Sequence, residues 1–303
     1  MSKLLVLSEH EVRELLTMRE CIAVMEEALA GLARGEAHQP LRSLIRPENA
    51  SGFLGLMPSY RRGKTAYFGL KEVCVFPGNP ARGLDTHLGG VLLHSGETGE
   101  LLAVVNASAV TAIRTAAVSA VATKLLARDD AHTLAIIGTG VQGKSHQEAI
   151  PLVREIRDLR MVGRGENVEK AVRDADIIVT ATNSREPILR REWLKPGVHI
   201  NAVGSSVKSA RELDTETMKA ASLFVDRRES TTNESGDYLM AGLAPDHIRA
   251  EIGDILAGTA RGRTSRDEIT LFKSLGLAIE DLASAAFLYE KASAAKSGTW
   301  VPF

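Results

Sequence analysis

Apolar and polar residues alternate along the chain in two different rhythms. In the opening third, Ser8 with Glu11 and Thr17 with Glu20 set a hydroxyl three residues ahead of a carboxylate. That is the capping-box spacing, and it predicts a short helix followed by a longer one reaching about Arg34. Segments 41–46, 53–57, 65–76 and 89–94 are rich in apolar or β-branched residues and are separated by Pro, Gly, Asn and Asp, which predicts strands. Gly96 and Gly99, between the apolar runs 91–94 and 101–105, predict a hairpin turn. This half reads as α+β, with mostly antiparallel strands.

From Ser108 the rhythm changes. A long helix rich in Ala, Thr and Ser is predicted over 109–126, and strands and helices then alternate. Strands are expected at 133–137, 159–162, 176–182, 198–203 and 222–225, with helices starting at Val141 and Val168 and a last amphipathic helix over 275–291. Such alternation predicts an α/β domain, a parallel sheet with helices on both faces.

Composition narrows the function classes. Lys and Arg number 37 against 38 Asp and Glu in 303 residues, a net charge of -1, which leaves no electrostatic footprint for nucleic acid or an anionic membrane. The first seven residues are too short for the apolar region of a signal peptide, and no later run is expected to span a membrane. Cys21 and Cys74 lie far apart, arguing against a disulfide framework or a thiolate metal site and for a reducing, cytoplasmic setting. His10, His38, His87, His94, His132, His146, His199 and His247 show no metal-ligand spacing, so no metal is expected.

The sharpest motif is G-x-G-x-x-G at Gly138, Gly140 and Gly143, directly after the apolar run 134–137 and before a predicted helix. In a Rossmann domain the first glycine permits the tight turn, the second admits a pyrophosphate, and the third lets helix and strand pack closely. The helix N-terminus then offers free N–H groups to the phosphates. An acid at the tip of the next strand would hold the ribose of NAD, but that strand ends on Gly163 and Arg164. Arg164 could meet the 2′-phosphate of NADP, which favours NADP(H) and leaves NAD(H) open; a solvated surface residue is the alternative. Only three residues then separate Arg164 from the helix at Val168, too few for the helix and strand a doubly wound half normally supplies there. Either an edge strand has been lost or a segment is missing.

Two cations stand in apolar surroundings. Period-two alternation sets Lys71 on one strand face with Tyr67, Val73 and Val75, where desolvation would lower its pKa and suit it to proton transfer. An edge-strand lysine that blocks aggregation is the other reading. Arg114 is the lone charge between Leu101 and Thr123 and suits either a substrate carboxylate or a buried salt bridge to one of the chain's own acids.

Taken with Gly69–Asn79, Thr98–Gly99, 111–117, 136–142, 199–204, 234–237 and 270–281, these residues resemble the ornithine cyclodeaminase/mu-crystallin family, in the family's order and from first helix to last. The resemblance implies a Rossmann domain over 114–281, and a substrate-binding and dimerisation domain over 1–113 completed by the C-terminal helix from about 282 to 303. It implies a homodimer. It also implies that Arg42 and Arg114 grip a substrate carboxylate with Lys71 near the reacting carbon, that Glu234 is a pocket carboxylate, and that Thr86 lies near substrate and nicotinamide. Gly138, Gly140, Gln142 and Gly143 match the phosphate loop; Asn201, Val203 and Lys273 match positions beside the nicotinamide, and Thr182 joins the cofactor set. Deaminating cyclases of this family carry an aspartate where this chain has Ser206, and a hydroxyl is a poor general base near neutrality. The resemblance therefore points to NAD(P)H-dependent reduction of a small imino acid by hydride transfer, alanine-dehydrogenase-like variants included. Redox-neutral ornithine cyclisation and a non-catalytic crystallin-like protein remain as alternatives.

Overall fold

The computed structural model describes residues 3–303. The chain forms two compact units: unit 1 runs to Arg114 and resumes over Leu277–Phe303, and unit 2 is Thr115–Gly276. Unit 1 begins with β1 (Lys3–Leu7), α1 (Glu9–Leu15), α2 (Met18–Ala33), β2 (Ala37–His38) and β3 (Ser43–Ile45). It continues through β4 (Phe53–Arg61), β5 (Tyr67–Val75), β6 (His87–Ser95) and β7 (Leu101–Asn106). The unit boundary falls within α3 (Ala107–Leu126). Unit 2 carries β8 (Thr133–Ile137), α4 (Val141–Ala149), β9 (Asp158–Val162), α5 (Val168–Val172), β10 (Ile177–Thr180), β11 (His199–Ala202) and α6 (Thr215–Ala220). Then come β12 (Ser222–Val225), α7 (Arg228–Glu234), α8 (Gly236–Ala241), β13 (Ile248–Glu251), α9 (Ile252–Leu256) and β14 (Thr270–Lys273). Unit 1 closes with α10 (Ala278–Ala295) and β15 (Thr299–Pro302).

Both opening helices carry the reciprocal capping boxes expected of them. The sheet of unit 1 has the order β15-β1-β7-β6-β5-β4-β2, with β3 also on β4. Its pairs are antiparallel except for β1 beside β7. Strand alternation sorts the side chains cleanly: Met57, Lys71, Val91 and Val105 form one cross-strand row and all are buried. α10 covers that face. A Cβ on Gly69 would lie 2.8 Å from Leu282 Cδ1, so a larger residue there would push the helix off the strand. The opposite face keeps an apolar row, Leu54, Leu56, Leu70 and Leu92, only half-buried, with Phe68 and Leu88 exposed.

Unit 2 is a seven-stranded sheet, β13-β12-β14-β11-β10-β8-β9, parallel throughout. Strands β8, β10, β11 and β14 are buried at every position, as parallel strands covered on both faces must be. The α/β class with a mostly antiparallel α+β partner is thus the observed architecture. Three sequence expectations change. The last helix starts at Ala278 rather than 275, since Gly276 at φ +77° turns the chain ahead of it, and 270–273 is strand β14, whose continuous burial leaves no alternation to read. The strands at both ends of the chain, β1 and β15, went unpredicted because they are stable only through pairing with each other and with β7. Finally, α3 is long and apolar enough to cross a membrane, contrary to the reading that no run is, yet most of it is buried within the protein.

Candidate active site

In unit 1, β5 brings Lys71 onto the face that α10 covers, and the first turn of α10 brings Glu280 and Asp281 to meet it. Lys71 Nζ lies 2.8 Å from Asp281 Oδ2 and 3.4 Å from Thr111 Oγ1. Arg114 donates from Nε to Asp281 Oδ1 at 3.1 Å and from Nη1 to Glu280 Oε2 at 2.7 Å. All four charged side chains are at most 5% exposed. Since β5 lies between β4 and β6, Lys71 is not an edge-strand guard, and the first of its two readings survives. Burial, reinforced by the Arg114 and Arg42 cations, lowers the Lys71 ammonium to about 8 against the opposing pull of Asp281. Burial pushes the Asp281 carboxyl up, but Arg114 and Lys71 outweigh it and hold it below its ordinary value. Arg42 is half-buried and close enough for its charge to act on Lys71. Arg114 is therefore the salt-bridged residue that one reading proposed, and a substrate carboxylate would meet it as a cation already fixed by two acids.

Three residues here escaped sequence reasoning. Asp281 and Glu280 were part of a matched segment without a role; two adjacent acids ahead of the uncharged run Leu282–Tyr289 were the available signal. His87, read as a solvated or core histidine, feels both Lys71 and Arg114. Desolvation of the ring first, although the residue is exposed at the start of β6, and then those two cations lower its pKa.

In unit 2 the glycine loop between β8 and α4 fits a pyrophosphate by three separate observations. Gly138 has φ +120°, and a Cβ there would lie 2.4 Å from the Ala181 carbonyl oxygen. A Cβ on Gly143 would lie 1.9 Å from the Gly138 carbonyl oxygen, so only glycine lets α4 pack this close. A Cβ on Gly140, by contrast, would meet nothing within 4 Å. Its position is open, at the N-cap of α4, where unpaired backbone N–H groups gather. Half-buried Gln142 follows on the first turn.

The remaining expected cofactor positions divide by burial. Val203 is half-buried and bonded through its N–H to the Thr180 carbonyl at 2.9 Å. Thr182 is half-buried, and its hydroxyl and backbone N–H both donate to Glu212 Oε1, at 2.7 and 2.6 Å. Asn201 and Lys273 are fully buried: Asn201 Nδ2 donates to Thr123 Oγ1 at 2.9 Å, and Lys273 Nζ pairs with Asp237 Oδ2 at 3.0 Å. Their side chains are thus held in the interior by partners within unit 2. Glu212, missed by sequence reasoning, ties this end of the sheet together by also accepting from Thr180 Oγ1 and the Gly204 N–H. Ser206 and Glu234 are half-buried, and Arg164 is exposed in the turn after β9. In unit 1, half-buried Thr86 precedes β6 and accepts from the Phe76 N–H at 2.9 Å. Among the described residues no group of His, Cys, Asp and Glu could hold a metal.

A model of the ornithine cyclodeaminase/mu-crystallin family matches residues 2–170 and 164–296. The chain belongs to that family. The two matches overlap at 164–170, the short loop after β9 and the start of α5. Within the family it is 40% identical to the ketimine reductase mu-crystallin of Mus musculus, over 96% of this chain and 98% of the relative. That alignment runs over 312 positions while taking in only part of a 303-residue chain, so the relative carries residues that this family member lacks. Among solved structures, the Delta(1)-pyrroline-2-carboxylate reductase of Thermococcus litoralis in complex with NADH and L-proline superposes with a TM-score of 0.92 at 37% identity, covering 98% of this chain and 100% of that one. An archaeal alanine dehydrogenase dimer with bound NAD gives 0.94 at 35% identity, with full coverage of both chains.

Proposed function

We propose that this protein reduces a small imino acid to the amino acid with a nicotinamide dinucleotide, and oxidises the amino acid in reverse. Its relatives include a ketimine reductase and a pyrroline-2-carboxylate reductase. The observation that carries the reading is the buried cationic cluster of unit 1. Buried Lys71 and Arg114 are held side by side by Glu280 and Asp281, and the Arg42 cation acts on Lys71, so three cations gather where a substrate carboxylate would bind. Arg42 and Arg114 orient that carboxylate, which makes the transfer effectively unimolecular. Lys71, with its pKa near 8, keeps the imine nitrogen protonated and so electrophilic at carbon. A bound nicotinamide supplies the hydride; the imine C=N bond becomes a C–N single bond, with the hydride on carbon and the proton on nitrogen. Glu234 and Thr86 complete the substrate surroundings. Unit 2 holds the dinucleotide on Gly138, Gly140, Gln142 and Gly143, with Thr182 and Val203 at neighbouring strand ends.

Ser206, where the cyclising branch has an acid, supports reduction over ornithine cyclisation. Arg164 on its own would favour NADPH, a preference that depends on there being no carboxylate beside it. A homodimer is supported by the half-exposed apolar sheet face of unit 1, which a second copy would cover. The test is a panel of NADH and NADPH oxidation assays with pyruvate plus ammonia or methylamine, cyclic ketimine carboxylates and iminosuccinate, run beside ornithine. Cofactor oxidation in proportion to imine is expected. Ammonia and proline formed from ornithine without net cofactor turnover would overturn the proposal while leaving fold and family intact.

A further inference from the structure

The turn that follows β9 is short and closes on itself. β9 is the edge of the unit 2 sheet, and only Gly163–Asn167 lies between it and α5, whose N-terminus Asn167 caps through a 2.9 Å bond from the Lys170 N–H. The turn is closed from both sides. The Glu166 N–H donates to the Gly163 carbonyl at 3.3 Å, and the Gly163 N–H donates back to the Glu166 carboxylate. Gly165 provides the positive φ, +85°, that lets the chain reverse within these four residues. The reversal carries Glu166 back to the strand tip. A Cβ placed on Gly163 would lie 3.3 Å from Glu166 Oε2 and 3.5 Å from Thr139 Oγ1. A carboxylate and the phosphate loop between Gly138 and Gly140 therefore flank the same point at the end of β9.

We propose that Glu166 is the specificity residue for the dinucleotide: its carboxylate accepts the adenosine ribose hydroxyls and repels a 2′-phosphate, so that NADH binds in preference to NADPH. The inference rests on the reading of unit 2 as a dinucleotide domain. In such domains an acid at the tip of the second strand accepts from the ribose hydroxyls of NAD. Here the strand itself ends on Gly163 and Arg164, and the shortened loop supplies the acid instead. A 2′-phosphate at that point would set its charge against a carboxylate, and the exposed Arg164 two residues away offsets this only in part.

Fluorescence titration of the full chain with NADH, NADPH and the NADH analogue lacking the adenosine 2′-hydroxyl tests this. The native protein should bind NADH roughly ten-fold or more tighter than NADPH, the scale of one hydrogen bond to a charged acceptor. Glu166→Gln should weaken NADH by about the same factor and leave NADPH unchanged or tighter. The analogue should bind the native protein as weakly as NADH binds the variant, and the variant should not distinguish the two. Equal loss of both cofactors in Glu166→Gln would mean that the residue only shapes the turn, and would overturn the proposal. So would tighter NADPH binding by the native protein that Arg164→Ala abolishes. Failure to bind any of the three would instead overturn the dinucleotide reading itself.

Discussion

Lys71 and Arg114 both combine a chemical task with a structural one, and the two separate by experiment. The Lys71 ammonium is the proton-bearing form and its pKa is lowered to about 8, so it is complete below that pH and lost above it. The kcat/KM for imine reduction should hold level up to about pH 8 and then fall by about ten-fold per unit, while amino-acid oxidation gains over the same range. Lys71→Arg, charged throughout, should remove the break, and Lys71→Ala should depress kcat more than it raises KM. A native profile with no break in this region would exclude Lys71 from proton transfer. Arg114→Ala has a different signature, because it removes a partner from both buried acids, Glu280 and Asp281. Breaking a buried pair of this kind costs about 3–5 kcal/mol, so denaturant unfolding should register the change before any assay does. Arg114→Lys keeps the charge but loses the two-acid fork, and a loss of substrate affinity with smaller destabilisation is expected.

At the scale of elements, the three loop glycines are not equivalent. Gly143→Ala drives a Cβ into the Gly138 carbonyl and should destabilise unit 2 outright, visible as a lowered melting temperature by circular dichroism. Gly140→Val projects into open space; the native melting curve should survive while NADH and NADPH titrations show no binding. Retained affinity would move the dinucleotide elsewhere. The other end of the same sheet depends on Asp176, whose Oδ2 accepts from the His132 and Thr133 N–H groups at 3.0 Å and whose Oδ1 meets Arg128 at 2.7 Å and Lys195 at 2.8 Å. Burial would raise its pKa, but Lys195 and the two N–H groups bring it down to about 2. The folded value lies below the unfolded one, so the stabilisation is whole above about pH 4 and is lost as pH falls toward 2. Asp176→Asn should therefore cost about 2 kcal/mol near neutrality, and that difference from the native protein should shrink in acid.

For the whole molecule, the apolar sheet face of unit 1 predicts the assembly. Ile45 and Phe68 are both about half exposed, far more than an isolated sheet surface needs. Light scattering should give a dimer for the native chain and a monomer for Ile45→Glu combined with Phe68→Glu. A native monomer, or a double variant that stays dimeric, would refute the use of this face.

Local pattern was enough to determine the capping boxes, the hairpin, most strands of both sheets and the loop glycines, because each rests on residues a few positions apart. The isolation of Lys71 and Arg114 was legible for the same reason: a charge in an apolar run shows in the sequence whatever its partner. The partner did not show, since Arg114 and Asp281 are 167 residues apart and meet only when α10 packs on β5. Strand β14 was hidden because burial on both faces erases alternation, and the pairing of Lys273 with Asp237 left no signal along the chain. The tip of β9 reads from sequence as a cation without an acid. Only the turn at Gly165, which folds Glu166 back onto Gly163, decided that a carboxylate stands there.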